Sequence, residues 1–186
     1  NRNAFSEAEE CFSIVKYKPG MKSVWIEIQK TAGQFEGYSD ADIADYFEKT
    51  FLYDSSEIDE RCFFLKDNVE EAYIGTCCAW FSNKGKRIVP VLHWLAVVPT
   101  HRNRGCARML ITYVLKYFEQ KYEKQAVYLH TQPESYQAIK LYNDFGFNIT
   151  QEDSYGHAVN EYEYAMGILK EVMNSEAYKR LKNTAV

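Results

Sequence analysis

The sequence predicts an α/β domain with a mixed, mostly antiparallel central sheet flanked by helices. Three observations carry this. Strand-type apolar runs at residues 61–66, 72–82 and 87–98 are joined by short turns, one beginning at Asp67-Asn68 and one at Asn83-Lys84-Gly85-Lys86. Segments with apolar residues at helical spacing surround them, at 21–32, 104–121 and 133–144. Between Ile88 and Phe118 an apolar run ends at Pro99, passes through a basic, glycine-bearing turn and enters a helix.

Taken in order, Glu10 to Lys18 alternate around Phe12, Ile14 and Tyr17 and read as a strand, closed by the turn Pro19-Gly20. Val24, Trp25 and Ile28 mark the helix 21–32, which Gly33 and Gly37 break. Ser39-Asp40 supplies a cap for a helix at 40–51 with Ile43, Tyr46 and Phe47 on one face. The three hairpin strands follow, then the helix 104–121, and Ala126 to Thr131 reads as another strand. Pro133 suits the first turn of the helix 133–144, and Gly146 ends it before a short strand at 147–150. From Val159 to Met173 apolar residues fall at 162, 165, 166, 169, 172 and 173, a helical period, with Tyr162, Ala165, Leu169 and Val172 expected inward. Residues 175–182 extend or repeat that helix.

The 186 residues suit one domain, 1–186, with a real core, and 15 Tyr, 11 Phe and 3 Trp argue against global disorder. A formal charge of −4 argues against nucleic acid as a partner. No apolar run approaches the roughly 20 residues that span a membrane, so no membrane partner is expected. The first residues lack the order of a signal peptide. Cys11, Cys62, Cys77, Cys78 and Cys106 show no metal-type spacing, so no metal is expected, and an odd count with two adjacent thiols fits a reducing, cytoplasmic compartment.

The turn Thr100-His101-Arg102-Asn103-Arg104-Gly105-Cys106-Ala107 is the chemically informative stretch. A helix start presents free backbone N–H groups and the positive end of the helix dipole. Gly105 lets the main chain approach a ligand closely, and Arg102, Arg104 and Arg108 add positive charge to an acidic chain. The physical inference is a phosphate-bearing ligand.

Arg102-Asn103-Arg104-Gly105-Cys106-Ala107 resembles the acetyl-CoA turn of the Gcn5-related N-acetyltransferase (GNAT) superfamily: Gln or Arg, two residues, Gly, one residue, Gly or Ala. His93-Trp94-Leu95-Ala96-Val97 is similar to that superfamily's splayed fourth strand. The segment from Ser135 to Phe147, with Ala138, Leu141-Tyr142 and Gly146-Phe147, is similar to its Asn-x-x-Ala-x-x-Leu-Tyr…Gly-Phe segment, Ser135 standing in the place of Asn. The match covers about residues 88–149. After it the chain reads mainly as helix, where many members have a strand hairpin.

The resemblance implies a GNAT-like fold with splayed central strands and a helical tail. It also implies acetyl-CoA-dependent N-acetylation of a primary amine, on a small molecule or a peptide, by direct attack in a ternary complex. A non-catalytic acyl-CoA-binding module and an acetyltransferase of protein lysines or N-termini remain alternatives. The implied cofactor-binding set is Leu95, Ala96, Val97, Arg102, Asn103, Arg104, Gly105, Cys106, Ala107, Arg108 and Ser135. The backbone of Leu95 and Val97 would pair with pantetheine like an added strand. An N–H near Leu95 or Ala96 would face the thioester oxygen.

Tyr142 is the implied acid, since a phenol with a pKa near 10 stays protonated and can donate to the departing thiolate. His93, two residues before Leu95 and so on its face in a regular strand, is the candidate base, as in the arylalkylamine acetyltransferases, which this stretch also resembles. His130, Glu27 and Glu134 follow it. The helices at 21–60 are expected to wall the acceptor site. There Glu36, Asp40, Asp42, Asp45, Glu48, Asp54, Glu57, Asp59 and Glu60 face only Lys49, either as a mouth for cationic amines or as a solvated helix face. The resemblance leaves room for a homodimer.

Overall fold

Short turns set the order of the sheet. A computed structural model describes residues 1–7, 10–52, 57–122 and 125–186. Four strands, β1 (Phe12–Lys16), β2 (Cys62–Asp67), β3 (Ala72–Lys84) and β4 (Arg87–Val97), lie in sequence order. β1 and β2 are antiparallel with Phe12 opposite Asp67, and β2 and β3 are antiparallel with Cys62 opposite Cys78. One parallel bridge, Val91 to Tyr128, makes the sheet mixed. The described residues fall into two compact units, and β3 and β4 contribute to both.

The first unit comprises Ser6–Trp80 and Leu92–Gln125. β2 is a near-continuous apolar run because both its faces are covered. Phe63 packs on Tyr113 and Tyr117 of α4 (Cys106–Lys121), with ring centroids 4.8 and 5.3 Å apart. Cys62 and Phe64 join the other core, with Trp25 and Ile28 of α1 (Lys22–Thr31), Ile43 and Phe47 of α2 (Asp40–Phe47), and Phe51. Ser39 caps α2 as expected: its hydroxyl accepts from the Asp42 N–H, and the Asp42 carboxylate accepts from the Ser39 N–H. The helix expected over 40–51 ends at Phe47 and continues as a wider π-type turn, Glu48–Leu52, which carries Phe51 into the core. A single helical turn, α3 (Ile58–Arg61), precedes β2.

The other unit comprises Asn1–Phe5, Phe81–Val91 and Ala126–Val186. Its helices are α5 (Tyr136–Phe145), α6 (Tyr162–Val172) and α7 (Ser175–Asn183). Pro133 opens a 3₁₀ turn, Pro133–Ser135, before α5, and Gly146 at φ +96° ends it. Ile139, Met166, Leu169 and Leu181 form the apolar cluster of the three helices.

Three expectations for this unit change. The strand at 126–131 reduces to the bridge at Tyr128, whose N–H donates to the Pro90 carbonyl at 2.9 Å, because an apolar run realises a strand only where a ladder partner lies alongside. The strand at 147–150 is absent: Ile149 and Gln151 exchange backbone hydrogen bonds with Val186. On α6 Tyr162 packs against the cluster and Leu169 is buried, both as expected, and Met166 is buried beside them, while Val172 is 44% exposed, because the cluster covers a narrower stripe than the apolar pattern.

Candidate active site

β4 does not run straight into the basic turn. Trp94 has φ +51°, a left-handed conformation that a bulky residue adopts only under constraint. Its ring supplies part of that constraint: it stacks on Phe35 at 5.0 Å and 15°, and meets Trp25 and Tyr46 edge-on. The break interrupts the two-residue alternation, so the argument that His93 shares a face with Leu95 and Val97 does not carry through. His93 is half-buried, its ring 5.4 Å from that of Trp94. Beyond the break, Ala96 and Val97 are buried, and the Val98 N–H donates to the Ile74 carbonyl of β3.

β3 makes room for this segment with Gly75. A Cβ there would lie 3.0 Å from the Ala96 carbonyl oxygen, 3.1 Å from Leu110 Cδ1 and 3.3 Å from Val97 Cγ2. Only a residue without a side chain lets β3, β4 and α4 approach so closely.

A 3₁₀ turn, Pro99–His101, then leads to α4. Asn103 (φ +62°) and Gly105 (φ +78°) are both left-handed. Gly105 is the N-cap residue, so no side chain caps α4, and its first turn holds no acidic residue. Successive N–H groups in such a turn form an anion-binding concavity, and the dipole of a long helix adds to it. The residues present therefore fit the phosphates of a nucleotide-like ligand.

The side chains of the turn serve to fasten it. The Arg102 guanidinium donates to the Ala32 carbonyl at the end of α1 at 2.9 Å. Arg104 lies over the Phe12 ring and 3.9 Å from Asp67 Oδ2. His101 is 4% exposed; its Nε2 lies 3.3 Å from Asp67 Oδ2 and its Nδ1 3.0 Å from the Thr100 hydroxyl. Asp67 also accepts the N–H groups of Val69 and Glu70. The Glu70 N–H foremost, then that of Val69 and the His101 side chain, hold its carboxyl below the ordinary range. Asp67, Glu70 and His101 are the one group among the described residues whose ligand atoms gather closely enough for a metal ion, and Arg104 already brings positive charge to it. Cys106 is a buried thiol, its pKa raised by that burial.

Near Trp94, Glu36, Gly37, Tyr38, Asp42, Asp45, Tyr46 and Lys49 line an open cleft of about 620 Å³. The acidic run is largely matched by cations: Asp45 pairs with Lys49, Asp40 with Lys30, Glu48 with Lys22, Glu57 with Arg61 and Glu60 with Lys16. Asp42 is engaged by Ser39, which lowers its pKa. Asp54 lies outside the described residues. Glu27 is exposed on α1 and accepts a hydrogen bond from Thr31.

The remaining candidates belong to the other unit. Tyr142 is on the last turn of α5, part-buried, its ring 6.0 Å from Phe147. Ser135 ends the 3₁₀ turn without capping α5, and Glu134 beside it is exposed. The His130 ring stacks face to face on Tyr155 with centroids 3.7 Å apart, and burial lowers its pKa. Burial of Tyr155 pushes its phenol up to about 12.

Residues 24–147 match the acetyltransferase (GNAT) family model. The chain belongs to the GNAT acetyltransferase family. Solved structures agree in fold. A putative acetyltransferase from Pyrococcus horikoshii is similar at TM-score 0.60 and 18% identity over 76% of this chain, which spans 45% of that protein's length. The aminoglycoside N-acetyltransferase AAC(6')-Iy, in complex with CoA, is similar at TM-score 0.59 and 18% identity, covering 85% of this chain and 99% of its own. Arabidopsis thaliana Naa50, in complex with the bisubstrate analogue CoA-Ac-MVNAL, is similar at TM-score 0.59 and 20% identity, covering 82% and 93%. Among curated proteins no sequence matches this chain.

Sequence reasoning located the turn of this GNAT chain but missed what fastens it. Asp67 reads as a hairpin residue and His101 as one letter of the motif; their contact spans 34 positions, which no local pattern reveals. The break at Trp94 is equally silent, because a tryptophan signals no positive φ. Gln29, whose side chain reaches the Trp94 carbonyl, reads as one polar residue of an amphipathic helix.

Proposed function

We propose that this protein is an acetyl-CoA-dependent N-acetyltransferase that acetylates a primary amine by direct attack within a ternary complex. One observation carries the reading: α4 begins at two left-handed residues with no side-chain cap and no acidic residue in its first turn, directly after a broken strand. That arrangement suits a pyrophosphate, and the family supplies the acyl chemistry.

Backbone N–H groups from Asn103 to Arg108 hold the phosphates. Ser135 is the further contact on the nucleotide side, carried by the resemblance alone. Leu95, Ala96 and Val97 align the pantetheine, and an N–H of Leu95 or Ala96 donates to the thioester oxygen. Bound acetyl-CoA supplies the activated acetyl group. His93 takes the proton that the amine must lose, so that nitrogen can form a bond to the acetyl carbon as the carbon–sulfur bond breaks. Tyr142 returns a proton to sulfur. The half-buried setting of His93 beside Trp94 supports its role; that of Tyr142 rests on its place in the α5 segment. The open cleft beside Trp94 is the proposed acceptor entrance, its tyrosines suited to an organic amine.

We also read the chain as one acetyltransferase domain. We propose a reducing, cytoplasmic setting, which the free, buried thiols of Cys62, Cys77, Cys78 and Cys106 support. The decisive experiment measures thiol release from acetyl-CoA against a panel of small amines and short peptides. Turnover with an amine is the expected result. Tight acetyl-CoA binding without turnover on any member would leave an acyl-CoA-binding module.

A further inference from the structure

Gln29 of α1 is wholly buried, at 0% exposure. Its Nε2 donates to the Trp94 carbonyl at 3.0 Å, and its Oε1 has no hydrogen-bond partner among the described residues. A core residue chosen for stability alone would not leave a buried acceptor unmatched; an apolar side chain of the same size would serve better. The bond it does make falls on the one residue of β4 held in the left-handed region.

The Trp94 carbonyl and the Leu95 N–H belong to one planar, trans peptide, in which they point in opposite directions. Fixing the carbonyl from α1 therefore fixes the N–H on the far side. Rotating this peptide would turn its N–H toward the Gln29 donor and lose the hydrogen bond. Packing of Trp25, Phe35 and Tyr46 on the Trp94 ring holds the side chain, and Gln29 holds the peptide carbonyl.

We propose that Gln29 is a positioning residue: it locks the Trp94–Leu95 peptide so that the Leu95 N–H is aimed at the thioester oxygen before acetyl-CoA arrives. This rests on the function proposed above. Gln29 itself, wholly buried, does not touch the substrate.

Gln29→Met keeps the volume and removes the donor. Its expected kcat is about 10- to 100-fold lower, short of the full loss of such a donor. Its affinity for adenosine 3′-phosphate 5′-diphosphate, the half of CoA without pantetheine, is expected to stay within about twofold, because the turn at 103–108 binds that half. A wild-type kcat, or losses of kcat and of fragment affinity in equal proportion, would overturn the proposal.

Gln29→Glu adds a reading that a merely structural role would not move. A buried carboxyl has a raised pKa and donates to the Trp94 carbonyl only when protonated. Its activity relative to wild type should therefore fall as pH rises, and a flat ratio counts against the proposal. Amide exchange at Leu95, faster in Gln29→Met than in wild type, reads the lock without any ligand, and an unchanged rate overturns it. Failure of the wild-type protein to bind acetyl-CoA would instead overturn the proposed function and leave the exchange test standing.

Discussion

Gly105 concentrates the binding argument in one residue. Its φ of +78° suits glycine, and a Cβ there would lie 3.7 Å from Met109 Cε, so space is not the constraint. Gly105→Ala should cost about 1–2 kcal/mol of stability through the backbone alone. Gly105→Glu should keep the fold, since a carboxylate is favourable at a helix start, yet abolish acetyl-CoA binding by placing negative charge where the pyrophosphate belongs. Calorimetry on the folded variant reads this, and normal binding would remove the turn from the site. Proton traffic is also a residue-scale question. His93→Ala should lower turnover about 10²–10⁴-fold and erase the acidic limb of the pH–rate profile, with acetyl-CoA affinity unchanged. Tyr142→Phe should remove the alkaline fall. An intact acidic limb in His93→Ala would pass the role of base to His130. Burial lowers the His130 pKa, so that imidazole stays neutral, and active as a base, to a lower pH than an ordinary histidine.

At the scale of elements, position matters more than composition. β4 reaches the turn with the correct offset only because Gly75 admits its backbone. Gly75→Ala should destabilise the protein by about 1–3 kcal/mol and weaken acetyl-CoA binding as well, since the nearest atom is the Ala96 carbonyl and backbone yields less readily than a side chain. Paired denaturant melts and calorimetry test the two effects, and a stability loss with normal affinity would show that β4 does not transmit the strain. On α6, Leu169→Ala should cost about 2–5 kcal/mol because its side chain is wholly buried. Val172→Ala should stay within about 0.5 kcal/mol. The apolar period alone ranked both residues as inward; which part of the stripe is covered depends on where α5 and α7 pack.

For the molecule as a whole, acid is the informative stress. Asp67 joins the β2–β3 turn to the turn before α4 through His101, and its folded pKa lies below the unfolded one. The sign follows: the unfolded state binds the proton more readily, so the stabilisation is full above the ordinary carboxylate value near 3.9 and is lost as pH falls toward the folded value. Asp67→Asn should lower stability at neutral pH and flatten its decline between about pH 5 and 2. An unchanged acid-unfolding curve would show that this contact does not anchor the turn.

What the sequence by itself determined was local. The strand–turn–helix around Gly105, the hairpins, the Ser39 cap and the Gly146 stop each depend on residues a few positions apart, where turn chemistry and apolar period speak directly. The motif order from Arg102 to Phe147 likewise needed no coordinates to indicate the family. Tertiary structure alone decided what depends on contacts distant in sequence. It reduced the expected strand at 126–131 to one bridge, turned Val172 outward, and placed His101 on Asp67 and Gln29 on the Trp94 carbonyl. The physical reason is the same in each case: strand pairing, burial and strained backbone are set by partners from other elements, and a single sequence records each residue's preference but not its partner.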